Sequence, residues 1–127
     1  MSDWIINSIA FVGAFLAMEF VAWSNHKYIM HGIGWFLHKS HHEHRHGIFE
    51  WNDVYFVVYA AMSMMFCYLG WEQLDYRFWI GAGIAAYGMT YFVLHDIFIH
   101  NRIKLFRKTR WRYFEAMKRA HKMHHKH

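Results

Sequence analysis

The sequence contains no proline and a single cysteine, Cys67, so it cannot form an internal disulfide. Charged residues are also few, at 18% of 127 residues, whereas hydrophobic residues make up 56% and aromatic residues 21%. This composition excludes a disordered chain, a collagen-like chain and a disulfide-rich scaffold. The length leaves room for one domain, which we expect to cover residues 1–127.

The sequence contains three long apolar stretches with almost no charge. They comprise residues 4–23, which contain one charged residue, and residues 54–71 and 78–94, which contain none. Each is about 17–20 residues long, enough for a helix to cross roughly 30 Å of hydrocarbon. A mean hydropathy of −0.03 hides these stretches, because short and very polar segments alternate with them. We therefore predict an all-α, integral membrane helical bundle.

Small residues and one carboxylate within these stretches suggest how the helices pack. Gly81, Gly83 and Gly88 of the third stretch predict that helices approach each other closely there. Glu19 lies inside the first stretch, where a carboxylate is costly unless it faces the protein interior. Because Glu19 precedes His26 by two helical turns, the two residues lie on the same helix face.

The basic residues lie on one side of these stretches. Of the 14 Lys and Arg, only Arg77 lies between the second and third stretches, and the others fall within residues 27–45 or 102–126. The positive-inside rule places both basic regions in the cytoplasm. All 13 histidines fall in these regions or at the cytoplasmic ends of the stretches. The sequence therefore predicts a histidine-rich site on the cytoplasmic side of a multi-pass membrane protein.

Ten of the histidines form a pattern that occurs twice. A pair with four intervening residues is followed by a triple in which positions i, i+3 and i+4 are histidine. The pairs and triples, in chain order, are His26 and His31, His38, His41 and His42, His95 and His100, and His121, His124 and His125. Three further histidines, His44, His46 and His127, fall outside this pattern.

An α-helix places each triple on one face. Positions i, i+3 and i+4 share an arc of roughly 100°, so three imidazoles can point to one metal ion. The pairs fit an α-helix less well, because five residues turn it by about 140°. Each pair must therefore contact different metals or straddle a helix end, and Gly32 and Gly34 favour an end just after His31.

Imidazole clusters of this size indicate a metal centre. Neutral imidazole binds iron, zinc, copper and nickel, and ten imidazoles are enough for two metal ions. The lack of thiolates argues against an iron–sulfur cluster or a structural zinc site, and redox work on an apolar substrate favours iron with dioxygen. The nearby carboxylates are candidates to accept the far ring N–H of a ligand. They are Asp96, Glu43, Glu19, Glu50 and Asp53.

The four histidine motifs and their surroundings resemble the bacterial β-carotene hydroxylases, a family of the fatty acid hydroxylase superfamily of membrane di-iron proteins. The resemblance rests on residues 25–32 (NHKYIMHG), 37–42 (LHKSHH), 49–53 (FEWND) and 121–127 (HKMHHKH), and it covers the chain from about residue 19 onwards. It implies three or four transmembrane helices in the bacterial inner (cytoplasmic) membrane. Family members continue beyond the last motif, so we expect this chain to lack a C-terminal tail.

The resemblance also implies an activity. Members of the family hydroxylate carbon 3 of each β-ionone ring, which converts β-carotene to zeaxanthin through β-cryptoxanthin. They use dioxygen and electrons from ferredoxin or a similar donor. The ten histidines of the pattern would then hold two iron ions, which zinc can replace in a purified sample. The expected partners are a carotenoid, the electron donor and the lipid bilayer, with no nucleic acid.

Other interpretations stay open on the sequence alone. One is another lipid oxidoreductase of the superfamily, such as a fatty acid or sterol hydroxylase or a carotenoid ketolase. A second is a non-enzymatic membrane metal-binding or transport protein, which predicts ligands along a path across the membrane, whereas these histidines lie on one side. A third is a bis-histidine haem protein with two haems, which would leave six of the ten histidines unexplained.

Overall fold

A computed structural model describes residues 3–43, 49–100 and 111–126. Every regular element within these ranges is helical, which confirms the predicted all-α class. The elements are α-helices, numbered here in chain order, and two π-helical segments. They are α1 (Asp3–Ser24), the first π-helical segment (Asn25–Ile33), α2 (Trp35–His42), α3 (Asp53–Gly70), α4 (Tyr76–Tyr91), the second π-helical segment (Phe92–Ile99) and α5 (Arg112–His124).

Three helical stretches are long and apolar enough to cross a membrane. They are Asp3–Ile33, Asp53–Gly70 and Tyr76–Ile99, which confirms the three stretches predicted from the sequence. The first and third are longer than predicted, because a π-helical segment continues α1 and α4. Large apolar side chains such as Leu16 and Phe20 are exposed on α1, as expected for a helix that contacts lipid.

The chain divides into two compact units, Met1–Gly88 and Met89–His127. The core of the first unit forms around Met18, Ile84 and Tyr87, which bring α1 and α4 together. In the second unit, α5 packs against the second π-helical segment.

Close approach of helices in the first unit occurs at Gly81 and Gly83. A Cβ atom at Gly81 would lie 2.6 Å from Sγ of Cys67 on α3, and one at Gly83 would clash with a backbone carbonyl of α1. Both glycines are buried, so the predicted close approach is confirmed at these positions. The same prediction is wrong at Gly88, where a Cβ would meet only the ring of Phe56, at an ordinary contact distance of 3.8 Å.

Candidate metal centre

Both histidine pairs coincide with π-helical winding. Backbone hydrogen bonds there join residues five apart: the N–H of His100 donates to the carbonyl of His95 at 3.0 Å, and the N–H of Gly34 donates to the carbonyl of Ile29 at 2.8 Å. Residues five apart therefore lie above one another, as residues four apart do in an α-helix. The winding itself brings the rings of a pair together, so a pair can contact one metal.

The first pair lies on one face of the first π-helical segment. The rings of His26 and His31 stack with their centroids 4.9 Å apart, and their Nε2 atoms are 3.0 Å apart. The backbone departs from helical geometry at Gly32, with φ −109° and ψ −119°, close to the helix end predicted after His31. Beyond this break α2 begins, and the His38 ring lies 4.9 Å from the rings of both His26 and His31.

Four imidazoles of the first unit converge. Coordinating atoms of His26, His31 and His38 lie within 4.8 Å of one another, and Nε2 of His42 is 3.1 Å from Nε2 of His38. Two nitrogens bound to one metal at about 2.1 Å, and at right angles to each other, are about 3 Å apart. The separations of 3.0 Å and 3.1 Å match this spacing. We call His26, His31, His38 and His42 the first histidine cluster.

Residues just before α3 hold the far ring nitrogens of two α2 histidines. The Nδ1–H of His38 donates to Oδ1 of Asn52 at 2.7 Å, and the Nδ1–H of His41 donates to Oε2 of Glu50 at 3.0 Å. Such partners fix which ring nitrogen carries the hydrogen and leave Nε2 for a metal. Glu50 is among the carboxylates predicted for this role. Asn52 is not, because that prediction considers carboxylates alone, although an amide oxygen is also a suitable acceptor.

The second unit holds another group of imidazoles. Coordinating atoms of His100, His121 and His125 lie within 4.8 Å of one another, and the Nε2 atoms of His100 and His121 are 2.7 Å apart. The ring of His95 lies 4.7 Å from that of His100 and 4.8 Å from that of His121. We call His95, His100, His121 and His125 the second histidine cluster.

The surroundings of the second histidine cluster keep one of its members uncharged. Burial is the main cause that lowers the pKa of His121 to about 2, and positive charge on the neighbouring His95, His100 and His125 adds to the effect. A histidine with so low a pKa is neutral at pH 7. Neutral imidazole is the form that binds metal ions, so this environment suits a ligand.

The two remaining histidines of the pattern lie beside the clusters within their own units. His41 is buried, with its ring 5.5 Å from that of His38. His124 is exposed, with its ring 6.0 Å from that of His121. The histidines outside the pattern lie outside the described residues, and so does part of the second basic region. They are His44, His46 and His127.

The other predicted supporting carboxylates have different surroundings. Oδ1 of Asp96 lies 3.3 Å from Nδ1 of the cluster histidine that precedes it, as its predicted role requires. Glu43 forms an ion pair with Lys39 at 3.3 Å. Glu19 is exposed rather than directed into the interior, but the hydroxyl of Tyr87 donates to its Oε2 at 2.8 Å. This bond gives the carboxylate a polar partner within the apolar span.

Apolar helices that carry clustered imidazoles define a class, that of helical membrane proteins with histidine-rich sites suited to metal ions. Sequence comparisons narrow this class. The chain is 46% identical over 122 residues to the β-carotene hydroxylase of Pantoea ananas, and the match covers 96% of this chain and 70% of that protein. It is 38% identical over 121 residues to the β-carotene hydroxylase of Pseudescherichia vulneris, covering 95% and 69%. The chain therefore belongs to the β-carotene hydroxylase family, as its motifs predict.

A plant protein is also similar. The chain is 34% identical over 118 residues to β-carotene 3-hydroxylase 2, chloroplastic, of Arabidopsis thaliana, which covers 90% of this chain and 39% of that protein. No family model matches the chain. No solved structure matches it either.

Proposed function

We propose that this chain, as a single hydroxylase domain, hydroxylates carbon 3 of the β-ionone rings of β-carotene, giving β-cryptoxanthin and then zeaxanthin. The observation that carries the proposal is the presence of two histidine clusters on a membrane-helical chain of the β-carotene hydroxylase family. A long hydrocarbon substrate dissolves in the bilayer. His26, His31 and His95 lie within the membrane-spanning stretches, where such a substrate is accessible.

We propose iron as the metal, with one ion at each cluster and dioxygen as co-substrate. The donor set supports this, because each cluster offers imidazole nitrogens spaced as metal ligands. When bound, iron supplies the dioxygen activation that hydroxylation of an unactivated C–H bond requires. Zinc accepts the same nitrogen ligands, so the metal has to be identified in active protein.

The protein contributes to the reaction by positioning the metal ligands and the substrate and by excluding water. Asn52, Glu50 and Asp96 accept ring N–H groups and thereby hold the imidazoles in the orientation a metal needs. The apolar spans bind the hydrocarbon and keep its ring near the clusters. An unactivated C–H bond reacts only when it is held within contact distance of the oxidant, so this placement is the main task of the chain.

The site is proposed to face the cytoplasm of a bacterial inner membrane and to receive electrons from ferredoxin or a similar small carrier. The positive-inside distribution of Lys and Arg supports the orientation. Exposed basic side chains on α5 support an acidic electron donor, since complementary charge accelerates association. They include Arg112, Arg119 and Lys122.

The reaction is tested by expressing the chain in a bacterial host that makes β-carotene and by chromatography of the pigments. We expect β-cryptoxanthin and zeaxanthin to appear. The matched controls are His38→Ala, which removes a cluster histidine, and His127→Ala, which changes a histidine outside the pattern. Unchanged β-carotene, with the protein in the membrane and loaded with iron, would contradict the proposed substrate. Keto-carotenoids in place of hydroxylated ones would favour the ketolase alternative.

The metal proposal is tested separately on purified protein. Metal analysis should find about two iron ions per chain in active protein, one for each cluster. Activity with zinc alone, or with a single iron ion per chain, would overturn the di-iron proposal.

A further inference from the structure

We propose that Asn52 is a positioning residue of the first histidine cluster, whose side-chain oxygen holds His38 in the tautomer that presents Nε2 to a metal. The inference rests on the proposed function, because it assumes that the cluster binds metal. It goes further by assigning a task to a neutral side chain that lies 14 residues away in the sequence.

The burial of His38 makes a protein partner necessary. Its side chain is the largest fully buried one among the described residues, with only 1% exposed, so water cannot satisfy its ring nitrogens. Oδ1 of Asn52 is an acceptor, and its distance of 2.7 Å from Nδ1 of His38 requires the hydrogen to be on Nδ1. A neutral imidazole carries only one such hydrogen, so Nε2 retains the lone pair that a metal ligand needs.

Asn52 is itself held in place by α2. Its backbone N–H donates to Oγ of Ser40 at 3.2 Å, and the Ser40 hydroxyl donates to the carbonyl of Leu37 at 2.9 Å. Ser40 is buried and lies between two histidines of the same motif. The helix that carries His38 therefore also fixes the residue that orients it.

The side chain of Asn52 does not contribute to the start of α3. Asn52 directly precedes α3 and has helical backbone angles, φ −59° and ψ −24°, instead of the extended angles of a capping residue. Here its side chain makes no capping hydrogen bond. Its side-chain oxygen is used for His38 and not for the helix that follows.

Glu50, two residues before Asn52, also accepts a hydrogen bond from an α2 histidine. Its carboxylate accepts from Nδ1 of His41 at 3.0 Å, while its own backbone N–H donates to Oδ2 of Asp53 at 2.9 Å. One short segment before α3 thus supplies an acceptor to each of two buried histidines. Asn52 is the sharper test, because it can be made acidic or apolar with little change in volume.

The test compares Asn52→Leu and Asn52→Asp in the full chain, purified in detergent or nanodiscs and loaded with iron. Loss of a hydrogen bond behind a ligand typically weakens metal binding about 10–100-fold, and we expect this loss for Asn52→Leu. Asn52→Asp keeps an acceptor oxygen and should retain metal as the wild type does. The readouts are metal affinity and the rate of metal loss to a chelator, which need no substrate or electron donor.

Asn7→Leu is the matched control. Asn7 also makes one side-chain hydrogen bond, from Nδ2 to the carbonyl of Leu74 at 3.2 Å, but it lies in α1 and touches no cluster histidine by this bond. This variant should keep its metal. Helix content by circular dichroism shows whether each variant folds.

Each outcome decides a different question. If the wild type binds no iron, the proposed function fails. If the wild type binds iron and folded Asn52→Leu retains it equally well, the positioning role is overturned. If Asn52→Asp loses metal as readily as Asn52→Leu, the residue acts through packing alone, and the proposed role in fixing the tautomer is again overturned.

Discussion

The two histidine clusters are built from the same sequence pattern, but their surroundings differ. Both combine a pair in a π-helical segment with residues of an α-helical triple. In the first histidine cluster, His38 is fully buried, and a segment of distant sequence accepts the ring hydrogens of α2 histidines. In the second, His95 is buried, the triple lies at the end of α5, in which no residue is fully buried, and the acceptor Asp96 is the next residue after His95.

This difference separates two ways of making a metal site. The first histidine cluster is preorganised, because packing and hydrogen bonds orient its rings before any metal binds. The second contains contacts among its own imidazoles and an aromatic contact between Phe98 and Phe114, whose rings stack 5.1 Å apart. Equal spacing in a sequence therefore does not imply equal surroundings in the fold.

Removal of one ligand from each cluster should give the largest effects. His38→Ala and His121→Ala are both expected to abolish hydroxylation and to lower bound iron by about one ion per chain. His38→Ala should also lower stability by several kcal/mol, at about the cost of truncating a large buried side chain, because it leaves a cavity. His121→Ala should lower stability less, because His121 is only partly buried. Pigment chromatography, metal analysis and thermal unfolding measure the three effects.

The control for this pair is His127→Ala, which should retain activity and metal. Full activity in either cluster variant would remove that histidine from the ligand set. Equal stability losses in His38→Ala and His121→Ala would show that burial does not distinguish the two clusters.

Metal removal should loosen the two units unequally. After chelation we expect hydrogen exchange to accelerate across α5 far more than across α2, because α2 keeps its buried contacts and its hydrogen bonds to Asn52 and Glu50. Mass spectrometry of exchanged peptides locates the change. Re-addition of iron should restore protection in α5. Equal acceleration in both helices would mean that the first histidine cluster is not preorganised.

Substitutions at helix contacts in the first unit should have a smaller effect on stability, and one glycine serves as the control for another. Gly81→Ala adds a methyl group 2.6 Å from Sγ of Cys67 and should cost about 1–3 kcal/mol of stability through overpacking. Gly88→Ala adds the same methyl group where the nearest atom is 3.8 Å away, and should cost much less. Thermal unfolding in one detergent compares them. If both variants have the same unfolding temperature, close approach at Gly81 does not limit packing.

The sequence predicts what depends on periodicity and leaves out what depends on tertiary contact. The membrane-spanning stretches and the triples follow from apolar run length and from 3.6-residue spacing. The pairs do not, because an α-helical period is assumed for a segment that winds as a π-helix. Their repeated spacing of five, seen at both His26 and His95, is the signal that indicates this winding.

Contacts between distant residues are the other part that the sequence leaves open. Asp96 is predictable as a supporting residue because it adjoins the histidine it contacts. Asn52 lies 14 residues from its partner, and only the packing of the segment before α3 against α2 brings them together. The difference between Gly81 and Gly88 likewise depends on how closely α3 approaches each of them, and helical spacing alone cannot give that.

The smallest expected effect is on iron binding, when the hydrogen-bond acceptor of the second histidine cluster is removed and compared with that of the first. Asp96→Leu removes the partner of His95, but that contact is 3.3 Å long, against 2.7 Å for Asn52 and His38. A longer hydrogen bond is weaker, so Asp96→Leu should weaken iron binding by less than about tenfold, and by less than Asn52→Leu. Chelator competition measures both, with exposed Glu72→Gln as the carboxylate control. If Asp96→Leu loses metal more readily than Asn52→Leu, metal binding in the second histidine cluster depends more on Asp96 than metal binding in the first depends on Asn52. The expected order of preorganisation is then reversed.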